Sequence, residues 1–348
     1  YKDNGDEFVL PDSFSGQPTT TRDPRQQFAA DLALSRAQTA SEQVPGGDGL
    51  VDDECRAALL TLGFADTEEL AHRLAAFKSG SRYRQLPDTS RSRIDVLVPK
   101  LLEACAVTAH PSATALRGLE LLESISRRAA YLALLAEFPQ ALSQVARLIG
   151  ASSWAANYLV RHPILLDELL DARLLTAEPD WPAFEQALRQ QLDELGDDTE
   201  RQMDTMRDAH HAQVFRLLAR DLAGELSVER LSDHLSALAD VMLRITLDMC
   251  WRKLTRRHCD TPRFAVIAYG KLGGKELGYA SDLDVIFLFD DPHESAPETY
   301  ARLAQRMLTW LSSHTSAGIL FETDTRLRPN GESGLLVSSI EAFRDYQK

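Results

Sequence analysis

The chain lacks several of the features that place a sequence quickly. Its four cysteines, Cys55, Cys105, Cys250 and Cys259, nowhere stand as C-x-x-C. Neither a disulfide frame nor a zinc site is therefore expected, and reduced cytosolic thiols are. No apolar run approaches the ~18 residues of a membrane span, and no secretory leader is read ahead of the fold. Basic charge is in deficit: 38 Lys and Arg face 52 Asp and Glu, for a net charge of −14. Nucleic acids are held through a basic excess, so general nucleic-acid affinity is not expected. A single nucleotide needs only local basic groups and a metal, and stays open. The phosphate-loop pattern G-x-x-x-x-G-K-S/T and the dinucleotide pattern G-x-G-x-x-G are both missing. An initiating Met is absent too, which fits a piece of a longer, cytoplasmic polypeptide.

What remains is ordinary globular protein, 44% hydrophobic and 26% charged over 348 residues, enough for two or three domains. Residues 1–51 read as a polar lead-in and 52–258 as an α-helical domain. Asp66 with Glu69 makes a capping box for a helix through Phe77. Leu142, Val145, Leu148 and Ile149 share a helical face, and Gly150 is expected to close it as a left-handed cap. Asp197 or Asp198 opens a long helix to about Leu222, on which His210 and His211 are expected to be exposed. Ser227 opens another, with Leu231, Leu235, Leu238, Met242 and Ile245 on one face.

Near residue 260 the grammar changes. The run 264–270 reads as a buried strand, 271–280 as a Gly-rich turn and short helix, and 282–289 as a second strand. A helix is expected over Thr299 to Ser313, a third strand over Ile319 to Leu327, and a fourth around 335–337. The fold class expected is mostly helical α+β, with residues 259–348 forming a compact unit around a small mixed sheet.

That unit carries the chemistry. Ser281-Asp282-Leu283-Asp284 enters the apolar run Val285-Ile286-Phe287-Leu288-Phe289. In a strand, side chains alternate with a period of two, so Asp282 and Asp284 emerge on one side. Two carboxylates about 4 Å apart repel by roughly 4 kcal/mol at an effective dielectric near 20, which a cation between them relieves. In Glu322-Thr323-Asp324-Thr325-Arg326-Leu327-Arg328, the same period puts Glu322, Asp324, Arg326 and Arg328 on one face. Asp324 on a neighbouring strand completes a three-carboxylate set suited to Mg²⁺, and Arg326 and Arg328 suit phosphate oxygens. Two such ions would clamp the oxygens of an in-line displacement. Gly273-Gly274 lets backbone approach a phosphate, with Ser281 and Lys271 or Lys275 as further donors. Asp290-Asp291 lies past the strand and reads as solvated.

Gly273-Gly274, Asp282-x-Asp284 and Asp324 resemble the nucleotidyltransferase superfamily of DNA polymerase β. The string Ala268-Tyr269-Gly270-Lys271-Leu272-Gly273-Gly274-Lys275-Glu276-Leu277-Gly278-Tyr279-Ala280-Ser281-Asp282-Leu283-Asp284 is more specific. With Thr323-Asp324-Thr325-Arg326-Leu327-Arg328-Pro329 it resembles the glutamine synthetase adenylyltransferases, at motif level over about residues 264–348. The resemblance implies a polymerase β-like nucleotidyltransferase domain, incomplete at its C-terminal end. Its implied activity is transfer of AMP from ATP to a tyrosine of glutamine synthetase, with Mg²⁺ as cofactor and a PII signal protein as regulator. Asp282, Asp284 and Asp324 would be its metal-holding catalytic residues, and Gly273, Gly274, Ser281, Lys271, Arg326 and Arg328 its nucleotide contacts. The wording around Ser281 and Ser316-Ala317-Gly318 is closer to the AMP-attaching half of that family. Gly331-Glu332-Ser333-Gly334 departs toward the half that removes AMP by phosphorolysis. Removal, and a non-catalytic regulatory fragment, are the alternatives.

Overall fold

Helix punctuation written into the chain largely sets the element boundaries. The computed structural model describes residues 29–34, 53–170 and 177–348. Most of the expected lead-in falls outside them, and 29–34 is helical. Two compact units divide the chain: Tyr1–Leu175 with Leu222–Gly224, and Thr176–Asp221 with Glu225–Lys348.

The first unit is helical: α1 (Asp53–Leu62), α2 (Thr67–Ser79), α3 (Ser81–Arg84), α4 (Asp88–Ala106), α5 (Pro111–Ile125), α6 (Ala129–Glu137), α7 (Pro139–Ala151) and α8 (Ser153–Arg161). A 3-10 stretch, Pro163–Leu170, follows. Asp66 takes the N-cap position of α2, but its side chain makes no capping hydrogen bond. Gly150 corrects the sequence expectation. It lies inside α7 with no positive φ, and a Cβ there would stand 2.9 Å from Thr114 Oγ1. The glycine serves close helix packing rather than termination.

The second unit begins with α9 (Trp181–Glu194), α10 (Thr199–Leu222) and α11 (Val228–Arg252). Asp198 Oδ1 accepts from Arg201 N–H at 3.1 Å at the start of α10, and Ser227 Oγ accepts from Arg230 N–H at the start of α11. Each satisfies a donor that a helix N-terminus leaves orphaned. Leu231, Leu235, Leu238, Met242 and Ile245 are all buried, as their spacing requires. His210 and His211 are buried as well, against expectation. The physical reason is that α10 runs beneath the segment leading to Asp324, where the His210 ring meets Phe321 edge-on at 4.7 Å.

The sheet follows as β1 (Phe264–Ala268), α12 (Gly270–Gly273), β2 (Leu283–Phe289), α13 (Ala296–Ser312), β3 (Thr323–Asp324), β4 (Val337–Ser339) and α14 (Ile340–Tyr346). β2 is its spine. β1 pairs with it antiparallel, Phe264 opposite Phe289 and Ala268 opposite Val285. Both β3 and β4 pair with it in parallel, sharing its other edge end to end. Every β2 residue except Asp284 is buried, whereas β1, expected to be buried, is half-buried throughout. An edge strand covered on one side explains the difference. β3 is also far shorter than the 319–327 expected. Pairing stops after Asp324 because the Arg326 N–H is donated to the Asp324 carboxylate instead of a neighbouring strand. The mostly helical α+β class holds.

Candidate active site

Parallel pairing sets Asp284 directly opposite Asp324, and Asp282 immediately precedes β2. One carboxylate oxygen from each of Asp282, Asp284 and Asp324 lies within 4.8 Å of the others. At an effective dielectric near 20, each pair at that spacing repels by about 3–4 kcal/mol. Burial, then the charges of Asp282 and Asp324, raise the pKa of Asp284, against the opposing pull of Arg326 and Lys271. Asp324 is shifted the other way, chiefly by the hydrogen bond from the Arg326 side chain and then by its backbone N–H.

Arg326 turns back on Asp324 instead of continuing a strand face. Its Nε donates to Oδ2 at 2.8 Å and Oδ1 at 3.1 Å, and its backbone N–H to Oδ1 at 2.8 Å. Nη2 also reaches Oδ2. Arg328 does not share that face: its Nη1 donates to Thr325 O at 2.8 Å and Thr325 Oγ1 at 2.9 Å, bracing its own turn. Ser281 Oγ accepts from Gly278 N–H at 3.0 Å and fixes the turn that delivers Asp282. Gly273 and Gly274 sit at the end of α12, where a Cβ on Gly273 would meet Ala268 O at 2.7 Å. At Gly274 the nearest atom would be 3.4 Å away, so close packing requires glycine only at Gly273.

One glycine beside the carboxylates answers to a distant residue rather than to local sequence. Gly270 has φ +52°, and a Cβ there would stand 2.0 Å from Asp284 Oδ2. The sequence shows it only as the last residue of the expected 264–270 strand, which β1 leaves at Ala268. Gly270→Ala is expected to cost about 1–2 kcal/mol in left-handed backbone strain and to displace the Asp284 carboxylate. Urea unfolding with a divalent-metal titration checks both effects, and unchanged metal affinity would contradict the placement. Two supporting contacts were also missed. Tyr279 O–H donates to Asp221 Oδ2 at 2.9 Å, tying the α12–β2 loop to the end of α10. Arg207, fully buried in α10, grips the segment that leads into β3. It donates to Gly318 O (2.9 Å), Trp310 O (2.9 Å) and Ser313 O (2.7 Å), as well as to Met203 O (2.9 Å).

Three carboxylates at the end of a sheet, one of them with its pKa raised by burial and then by its neighbours' charge, define an acidic site chemically fitted to a hard divalent cation. The family description "Glutamate-ammonia ligase adenylyltransferase" matches residues 142–348. The chain is 66% identical over 264 residues, 76% of its length, to the bifunctional glutamine synthetase adenylyltransferase/adenylyl-removing enzyme of Aromatoleum aromaticum. It is 53% identical to the Ralstonia nicotianae protein of that name over 86% of its length, and 51% to the Burkholderia mallei one over 92%. The chain belongs to the glutamate-ammonia ligase adenylyltransferase family. It spans 28%, 32% and 36% of those three relatives, about a third of each. Among the described residues, no helix is long and apolar enough to cross a membrane.

Proposed function

We propose that the unit containing β1–β4 is a polymerase β-like nucleotidyltransferase domain that transfers AMP from ATP to a tyrosine hydroxyl of glutamine synthetase, releasing pyrophosphate. The observation that carries this reading is the convergence of Asp282, Asp284 and Asp324 within 4.8 Å on adjoining strands. These carboxylates would hold Mg²⁺, which supplies charge neutralisation at the phosphate oxygens when bound. Crowding among the three is relieved by that charge, so the site is poised for a cation.

The chain's own groups do the rest by positioning and electrostatics. Gly270 and Gly273 let the backbone pass close to Asp284 and Ala268, leaving Gly274 and Ser281 at the mouth as nucleotide contacts. Lys271 offers a charge beside Asp284. Arg326 occupies the Asp324 carboxylate as a cation, with its own side chain 69% exposed. With Asp324 serving as a metal ligand, the Arg326 guanidinium would face phosphate oxygens. Arg328 stiffens the turn that carries it and lies next in line for a phosphate. A carboxylate of the trio accepts the proton of the attacking hydroxyl.

The names of the relatives cover both attachment and removal of AMP, and the wording around Ser281 favours attachment. Incubating this chain with unmodified glutamine synthetase and α-labelled ATP is expected to label glutamine synthetase. Release of label from adenylylated glutamine synthetase with phosphate, and none entering, would reverse the direction. Regulation by a PII-type protein belongs to the same proposal. Metal binding should also depend on pH in a definite sense. The raised Asp284 pKa means that its proton competes with the cation at a higher pH than for an ordinary carboxylate. On acidification, Mg²⁺ affinity is therefore expected to start falling at a higher pH than for a site of ordinary carboxylates. A calorimetric titration whose affinity falls only where free Asp protonates, near its pKa of about 3.9, would contradict this.

A further inference from the structure

The far end of the β1–β2 pair holds a second cluster with different chemistry. His258 and Cys259 lie just ahead of β1 and Asp291 just beyond β2, so antiparallel pairing brings them together. Asp290 N–H closes that end on Arg263 O at 3.0 Å. A ring nitrogen of His258, Sγ of Cys259 and a carboxylate oxygen of Asp291 lie within 4.8 Å of one another. The five residues of β1 separate this cluster from the aspartate trio by about 17 Å at 3.3 Å per residue.

Asp291 was expected to be solvated, and the structure corrects this: its side chain is 7% exposed and that of His258 is 9%. The carboxylate accepts from His258 Nε2 at 2.7 Å, Tyr300 O–H at 2.7 Å and His293 N–H at 3.0 Å. Those donors hold its pKa far below the usual carboxylate range. With Nε2 engaged by Asp291, Nδ1 is the ring nitrogen left for another partner. Nδ1 is buried and has no hydrogen-bond partner. A buried lone pair without a partner is costly. The half-exposed Cys259 thiol, a member of the same cluster, donates to Thr261 O at 3.2 Å.

We propose that His258 and Cys259, with Asp291 behind the imidazole, form a metal site for a thiophilic divalent cation of the Zn²⁺ class. His258 Nδ1 and Cys259 Sγ are the ligands, and water reaching the half-exposed thiol completes the coordination. Binding releases the thiol proton to solvent, so the metal–thiolate bond forms as the S–H bond breaks. Asp291 holds the ring through Nε2, the carboxylate–histidine–metal arrangement that fixes ring orientation and raises ligand basicity. A hard ion such as Mg²⁺ has no use for sulfur, so the two sites divide cations by softness. The bound ion sits on the segment after α11, which the His258–Asp291 hydrogen bond ties to the β2–α13 loop. C-x-x-C spacing does not announce the site, because its members come from the two ends of a strand pair.

Co²⁺ titration of the metal-stripped chain tests it, because a cobalt–thiolate bond gives a near-ultraviolet charge-transfer band. The other three cysteines are buried, so the band reports on Cys259. One equivalent of Co²⁺ is expected to raise the band, and Zn²⁺ to displace it. The band should persist in Asp282→Asn/Asp284→Asn and vanish in Cys259→Ser. A melting curve confirms that the serine variant is folded. No band in the unaltered chain at millimolar Co²⁺, or an equal band in folded Cys259→Ser, would overturn the assignment.

Discussion

Replacing Asp282 and Asp284 together with asparagine is expected to lower AMP transfer at least a thousandfold while leaving the fold as stable as before or firmer. The two halves of this result have one cause. Asp282, Asp284 and Asp324 crowd within 4.8 Å, and two neutral amides remove repulsions of about 3–4 kcal/mol per pair. The raised pKa of Asp284 reports the same crowding, after the larger effect of burial. Protein held in an unfavourable arrangement at a functional site gains stability when the function is removed. Transfer assays beside thermal melting read both. A double variant that lost activity and also lost several degrees in Tm would mean that the carboxylates hold the fold together, and the acidic site would then be structural. A double variant that kept its activity would remove the site from the reaction.

The largest expected loss of stability lies away from the carboxylates, at Arg207. Its guanidinium is fully buried, makes no salt bridge among the described residues, and is satisfied by the carbonyls of Met203, Trp310, Ser313 and Gly318. Burial lowers its pKa, and the charge of Asp204 opposes that. Trp310 lies in the last turn of α13 and Ser313 just after it, so the cation also meets the negative end of the helix dipole. Arg207→Leu strips donors from the four carbonyls at once, and about 3–5 kcal/mol of unfolding free energy is expected to go. The loss should reach the site too. The segment that Arg207 grips runs through Leu320 and Phe321, both hydrogen-bonded to Leu311 O, into β3 and Asp324. Arg207→Lys can satisfy only some of the acceptors and should fall between. Denaturant unfolding of the three proteins orders them, and a leucine variant within about 1 kcal/mol of the parent would show that water replaces the guanidinium.

Local rules written in the chain reach a long way into this structure. Ser227, Asp198 and Pro139 mark helix starts because capping chemistry depends on a few neighbouring residues. The approach of Asp282 to Asp284 is equally local, a consequence of strand periodicity. Bringing Asp324 to them needed one tertiary guess, that its strand adjoins β2, and the register bears that out. What the sequence hid was set by packing between distant segments. His210 and His211 sit on a polar-looking helix that is covered from above, so periodicity alone reads them as exposed. Gly150 answers to Thr114 on another helix. Asp291 looks like a turn residue until β1 and β2 close over it, and Arg326 leaves the expected strand face because Asp324 captures it. Gly270 was in plain view, but its need arises from a carboxylate fourteen residues on, which no local rule connects to it.

Mn²⁺ binding followed by electron paramagnetic resonance, on the chain and on its Asp282→Asn/Asp284→Asn form, tests the central claim most directly, because it needs neither ATP nor a protein substrate. The unaltered chain is expected to quench the free Mn²⁺ signal at neutral pH and to restore it on acidification. The double variant should bind at least a hundredfold more weakly while melting no lower than the parent. Equal Mn²⁺ affinity in the two folded proteins would contradict the account, since the three carboxylates would then hold no cation.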